Sequence, residues 1–271
     1  MLDVIGFVEK QKQELKLAVA EAVQIAGKRP RLAIVTDNQN FDANQSYINS
    51  KVKFAEEVGI GCDVIRIDDA VALSASFSMY NGVIIQYPYF DFSFDEFRSL
   101  ITQSIPALLD VDGLGYQSIW NPCTPLGICR YIEHLQKTGV IKKKNITVNI
   151  IGYGGLVGEP LARMLLSDKR YTVCVTRSTT DEWVADNFEA SADVIVCATP
   201  THNLIKYPNL YKVYIDCGCN LVDGKLLGNV SREAYCEEAL ITPVPGGVGQ
   251  LTVLTLYRNV FRNFVMRNLK E

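Results

Sequence analysis

Apolar positions along the chain change period repeatedly, and the changes mark an alternation of helices and strands. Over residues 4–26 apolar side chains recur at helical spacing, which predicts a long amphipathic helix. Residues 31–36 form a short apolar run ending in the polar turn Asp37-Asn38-Gln39-Asn40, the pattern of a buried strand. Helical spacing returns over 43–58 and stops at Gly59, a residue suited to a left-handed C-cap. Apolar runs at 63–67 and 82–86 predict two more strands, and 94–102 a short helix. Strands that alternate with helices predict an α/β unit with a parallel sheet.

The string Asn121-Pro122-Cys123-Thr124-Pro125 breaks this rhythm, and a helix to about His134 follows. A strand at 145–151 then leads through a glycine-rich loop into a helix at 160–166. Further strands are predicted at 171–176, 192–198 and 212–217, a βαβ rhythm typical of a dinucleotide-binding fold. After them comes Ile241-Thr-Pro-Val-Pro-Gly-Gly-Val-Gly249, whose two prolines and three glycines suit neither an ordinary helix nor a central strand. It is read as a loop of dictated shape that feeds a final helix at 251–268.

Composition narrows the function classes. The 271 residues are 48% hydrophobic and 21% charged, ordinary for a globular protein of one large or two modest domains. A net charge of −3 gives no electrostatic case for nucleic-acid binding. No apolar run is long enough to span a membrane, and residues 1–16 carry charges where a signal peptide needs an apolar core. Of eight cysteines, Cys62, Cys174, Cys197 and Cys217 fall in strand-like runs and read as small buried hydrophobes of a reducing compartment. With two histidines and a single close cysteine pair, Cys217 and Cys219, no zinc site is expected. A cytoplasmic location is the expectation.

Five places carry candidate chemistry. The loop Ile151-Gly-Tyr-Gly-Gly-Leu-Val-Gly-Glu-Pro160 puts Gly152, Gly154 and Gly158 where backbone must turn tightly near a pyrophosphate at a helix N-terminus. The second strand of that unit ends Thr176-Arg177-Ser178-Thr179. It lacks the acid that binds a NAD ribose, while an arginine and hydroxyls suit a 2′-phosphate. Tyr47 and Lys51, four apart on one helix face, pair a stacking ring with an amine for proton transfer. Gln86 ends an apolar strand, and Asp112 stands before Gly113 in Asp110-Val-Asp-Gly, each able to hydrogen-bond a heterocycle. Each also has a plain structural alternative: an inert surface pair, a strand-end cap, and an Asx turn.

Together these strings resemble the bifunctional methylenetetrahydrofolate dehydrogenase/cyclohydrolase family. The matching stretches are 46–51 with Gly59-Ile60, Gln86 with Pro88, 110–113, 122–127, Val157-Gly158 with Pro160, 216–220 and 241–249, in the family's order along nearly the whole chain. The resemblance implies two α/β domains with a cleft between them. Residues 1–120 with the returning helix 251–271 would bind folate, and 121–250 would be the Rossmann-type domain. It implies oxidation of 5,10-methylenetetrahydrofolate by NADP, then hydrolysis of the methenyl product to 10-formyltetrahydrofolate. Lys51 would assist proton transfer, Tyr47 stack on the folate, Gln86 bond near Lys51 and Asp112 hold the pterin. Pro243, Gly246 and Gly247 would line the folate site. Gly152, Tyr153, Gly154, Gly155, Val157, Gly158, Arg177, Ser178, Thr199, Pro200, Cys217 and Gly218 would contact the dinucleotide. Tetrahydrofolate derivatives are the expected partners and a homodimer the expected assembly.

The chain departs from the family pattern in places. Tyr153 stands where the family usually has the arginine that meets the 2′-phosphate, and Arg177 where it usually has serine. Arg177 taking over that contact favours NADP; use of NAD is the alternative. Leu109 replaces a lysine, and Tyr87-Pro88-Tyr89 a Leu-Pro-Leu. Competing readings are a monofunctional dehydrogenase or cyclohydrolase and a silent ligand-binding homologue. The joint presence of Tyr47, Lys51, Gln86 and Asp112 argues against the last.

Overall fold

A computed structural model describes residues 1–68, 77–177, 190–231, 233, 235 and 238–269. They divide into two units. The first comprises Glu9–Cys123 and Val253–Glu271, the second Met1–Val8 and Thr124–Thr252. The expected division kept residues 1–8 with the first unit. They group with the second because Leu2 N–H donates to Ile241 O at 3.1 Å and Phe7 packs on Tyr131 and His134.

Helix α1 (Val4–Ala26) is followed by β1 (Arg31–Asp37), α2 (Phe41–Val58), β2 (Gly61–Ile67), β3 (Gly82–Ile85) and α3 (Phe94–Ser104). The strands form a parallel sheet of order β2-β1-β3. Central β1 is buried at every residue but its first, which explains its unbroken apolar run. Gly59 caps α2 in the left-handed conformation at φ 79°, as the sequence predicts. Ser93 and Glu96 close a capping box on α3. Beyond the strands proper, Val83 bridges Asp110 in parallel and donates its N–H to Leu109 O at 2.8 Å. The 108–112 segment therefore runs beside β3, and its Asp112 end lies toward the strand's carboxyl end.

The second unit holds α4 (Cys123–Lys137), β4 (Ile146–Ile151), α5 (Gly158–Leu166), β5 (Tyr171–Thr176), β6 (Val194–Cys197), β7 (Val213–Asp216), β8 (Asn220–Val222), β9 (Lys225–Leu227) and β10 (Leu240–Ile241). Its main sheet is parallel with order β10-β7-β6-β4-β5. One face is filled by Ile195, Tyr214, Ile205, Val230 and Ile241, all buried. The strand order reverses between β4 and β6, the switch point where open α/β sheets bind ligands. The fifth strand, β10, and the β8–β9 hairpin are absent from the sequence expectation. α5 also begins two residues earlier than predicted, at Gly158.

The last helix, α6 (Val248–Asn268), belongs to the first unit from Val253 onward. It carries buried residues on several sides, Leu254, Leu256, Tyr257, Val260 and Phe264 among them. Polar side chains on it reach neighbouring backbone: Asn263 donates to Asn81 O at 2.7 Å and to Leu108 O at 2.8 Å, and Arg267 to Tyr80 O at 2.7 Å.

Candidate active site

In the first unit three of the expected residues come together from three segments. Lys51, two turns before the end of α2, donates from Nζ to Gln86 Oε1 at 2.8 Å. Gln86 sits one residue past β3, nearly buried at 9% exposure, and donates its own amide to Tyr87 O at 2.8 Å. That second bond fixes which edge of the amide faces the lysine. Asp112 supplies the third group, with a charge that acts on Lys51.

The electrostatics of this cluster are set by burial. Burial pushes the Lys51 amine below the ordinary lysine range, against the pull of Asp112 and the thiols Cys123 and Cys62. Burial likewise raises the Asp112 carboxyl, with Lys51 pulling it down and Asp110 adding to the rise. Both shifts favour neutral forms, so a proton passes between lysine and a bound ligand more readily than at a surface lysine.

The two carboxylates of 110–113 divide their roles. Asp110 is buried and accepts from Gly115 N–H at 2.8 Å and Gly113 N–H at 3.2 Å, so it builds the turn. Asp112 is half-buried, and the neighbouring Cys123 thiol donates to Val111 O at 3.3 Å. The turn that was the structural alternative for Asp112 thus belongs to Asp110. Tyr47 lies a turn before Lys51 on α2, 42% exposed.

In the second unit, a cavity of about 890 Å³ opens at the β4/β6 switch point. The 152–157 loop lines it, with Arg177 after β5, Thr199 and Pro200 after β6, and Cys217 after β7. Gly152 is left-handed at φ 100°, and a Cβ there would overlap Ala198 O; a Cβ on Gly158 would overlap Gly152 O. These two glycines draw loop, strand end and helix together. Gly154 lines the cavity and a Cβ there would meet nothing within 4 Å, so backbone faces open space. A phosphate-bearing dinucleotide fits such a backbone-walled cradle at the start of α5. The Arg177 guanidinium stands 5.8 Å from the centroid of the Tyr153 ring, and both line the cavity.

Of the expected dinucleotide contacts, Gly152, Tyr153, Gly154, Gly155, Val157, Arg177, Thr199, Pro200 and Cys217 line the cavity. Gly158 and Gly218 do not. Gly158 packs against the loop, and Gly218 N–H is taken by Asp216 Oδ1 at 2.8 Å. Ser178 lies outside the described residues. Pro243, Gly246 and Gly247 sit in the turn between β10 and α6, in the second unit, whereas Lys51, Gln86 and Asp112 belong to the first. Leu156, Ala198, Cys219 and Asn220 also line the cavity and were missed. Position offered a signal for Ala198, which directly follows a strand expected to end there.

One buried carboxylate lies beside the cavity-lining Cys217. Asp216, at the end of β7, accepts three backbone N–H groups, from Gly218, Asn229 and Val230, each at 2.8 Å. Asn229 in turn donates to Thr199 Oγ1 at 3.0 Å, tying the loop after β6 to the segment after β9.

Residues 122–268 match the family described as tetrahydrofolate dehydrogenase/cyclohydrolase, NAD(P)-binding domain. The bifunctional protein FolD of Mesoplasma florum is 31% identical over 286 residues, covering 96% of each chain. Among solved structures, the bifunctional FolD methylenetetrahydrofolate dehydrogenase/cyclohydrolase of Campylobacter jejuni superposes with a TM-score of 0.81, at 29% identity over 97% of each chain. A 5,10-methylenetetrahydrofolate dehydrogenase from the silkworm, Bombyx mori, gives 0.83 at 26% identity, over 100% of this chain and 99% of that one.

Proposed function

The chain belongs to the tetrahydrofolate dehydrogenase/cyclohydrolase family, and from that premise we propose that it interconverts folate one-carbon units in two steps. It oxidises 5,10-methylenetetrahydrofolate to the 5,10-methenyl form with NADP, then hydrolyses that ring to 10-formyltetrahydrofolate. The observation that carries this reading is the amine of Lys51, held at 2.8 Å by Gln86 with the Asp112 charge acting on it in a partly buried cluster.

The residues take the following parts. NADP, when bound, accepts the hydride that leaves the methylene carbon. Gly152, Gly154 and Gly155 bind its phosphates through backbone, and Thr199, Pro200 and Cys217 flank it. Arg177 takes the 2′-phosphate in place of the missing family arginine. In the first unit Lys51 handles the proton during attack of water on the methenyl carbon, and Gln86 keeps the amine aimed. Asp112 binds the polar edge of the pterin, and Tyr47 stacks on the ring system. Pro243, Gly246 and Gly247 contact folate. The lowering of the Lys51 amine by burial suits the hydrolytic step, because a permanently charged ammonium is a poor base.

A second reading takes NAD as acceptor, favoured by Tyr153 at the position of the family's phosphate-binding arginine. Absorbance of methenyltetrahydrofolate formation, followed with NADP and NAD in parallel, separates the two. Faster formation with NADP supports the first reading. We also place the enzyme in the cytoplasm as a homodimer, an assembly that equilibrium sedimentation checks.

A further inference from the structure

Both functional side chains of the Lys51 pocket are anchored by the same helix, through two residues that touch neither of them directly. Tyr257 on α6 is fully buried, and its ring stacks on Phe54 with centroids 5.4 Å apart and planes 12° from parallel. Its hydroxyl donates to the Lys51 backbone carbonyl at 2.8 Å and lies 3.6 Å from Cys62 Sγ. Asn259, 3% exposed, donates from Nδ2 to Val111 O at 2.9 Å and lies 3.6 Å from Cys123 Sγ. Val111 immediately precedes Asp112. Cys123 N–H donates to the Asp112 carbonyl at 3.1 Å, and its thiol donates to Val111 O at 3.3 Å, the same carbonyl that Asn259 holds.

Side chains two apart on a helix diverge by about 200°, so Tyr257 and Asn259 serve opposite sides of α6. One side meets α2 and β2; the other meets the 110–112 segment and the start of α4. Packing alone does not ask for polar atoms here. A leucine would fill either place, and a buried hydroxyl or amide is costly unless its bonds are made. Both residues direct those bonds to the backbone that carries a functional side chain. Lys51 and Asp112 act as a pair only while their two segments keep register, and α6 bonds to both.

We propose that Tyr257 and Asn259 are positioning residues for the reaction. Tyr257 fixes the backbone from which Lys51 projects, and Asn259 fixes the segment that presents Asp112. The inference rests on the roles given above to Lys51 and Asp112. It makes a crossed prediction, since Lys51 acts in the chemical step and Asp112 in holding substrate. Loss of the Tyr257 hydroxyl should fall on kcat, and loss of the Asn259 amide on KM.

The test is hydrolysis of methenyltetrahydrofolate by full-length variants, with Tm measured beside it. Tyr257→Phe should lower kcat about tenfold with KM nearly unchanged, the effect expected of one buried hydrogen bond. Asn259→Ala should raise KM about tenfold and leave kcat within roughly threefold. Asn259→Leu, which keeps the branching at Cγ and loses the donor, gives the same readout if the alanine variant does not fold. Leu254→Ala on the same helix is the packing control: it should lower Tm and leave kcat and KM of the folded enzyme alone. If Tyr257→Phe and Asn259→Ala behave like Leu254→Ala, the positioning role is overturned while the function stands. If Lys51→Met hydrolyses at the normal rate, the functional reading fails and the inference with it.

Discussion

The two candidate sites are built on opposite principles. The dinucleotide cradle of the second unit is made by chain geometry: glycine positions that forbid a Cβ, a helix start, and the carboxyl ends of parallel strands. The Lys51 pocket of the first unit is made by burial of charged side chains drawn from α2, the end of β3 and the 110–112 segment. A backbone cradle tolerates side-chain change provided its glycines remain, and this chain has exchanged the family's phosphate-binding arginine there. A pocket of coupled buried charges tolerates little, because removing one member leaves another desolvated and uncompensated. All its expected members are present.

That contrast is sharpest at Lys51. Lys51→Met should cut methenyltetrahydrofolate hydrolysis by about 10²–10⁴-fold, the usual contribution of a general acid–base group. Binding of NADP to the second unit should be unchanged, as a direct titration would show. Equal loss of both would mean that the two sites do not fail separately.

Gly158→Ala tests the cradle by geometry alone. The added Cβ would overlap the Gly152 carbonyl, so loop or helix must shift. We expect a loss of roughly 2 kcal/mol or more in stability and a fall in dinucleotide affinity, read by thermal unfolding with and without NADP. A variant of wild-type Tm and affinity would show that the loop relaxes freely.

Arg177→Ala should weaken NADP by about one to two decades and leave NAD almost unchanged, since a charge-assisted bond to phosphate is worth roughly 1.5–3 kcal/mol. The structure adds a reason to watch Tyr153, whose ring faces the guanidinium. If both cofactors weaken alike, Arg177 supports the loop and does not read the phosphate. The smallest expected effect is Asp112→Ala, about 1–3 kcal/mol in folate binding. The paired Asp110→Ala should instead lower Tm, because Asp110 holds the Gly113 and Gly115 amides. Reversal of that pattern would swap the roles of the two carboxylates.

Legibility in the sequence followed the same contrast. The strand–glycine loop–helix and the strand end at Arg177 are local patterns, so Gly152, Gly154 and Arg177 could be named from the pattern, while the family resemblance added Tyr153, Gly155, Val157, Thr199, Pro200 and Cys217. Lys51, Gln86 and Asp112 are far apart in sequence, and spacing could not decide between a site and an inert surface pair; the family resemblance singled them out. The split between Asp110 and Asp112 was not legible, because two carboxylates two residues apart before a glycine offer the same turn chemistry on paper. The β8–β9 hairpin did leave a signal, Asp223-Gly224, both at positive φ. β10 has only two residues, too short for any period to register.

The central claim is that one chain carries an NADP-dependent oxidation and a lysine-dependent hydrolysis at separable groups. The most direct measurement follows 5,10-methylenetetrahydrofolate with NADP through time, using the wild-type chain and Lys51→Met. The wild type should form methenyltetrahydrofolate only transiently on the way to 10-formyltetrahydrofolate, and Lys51→Met should let the methenyl form accumulate. Equal clearance of the methenyl form by both proteins, or no methenyl form from the wild type with NADP, would contradict the account.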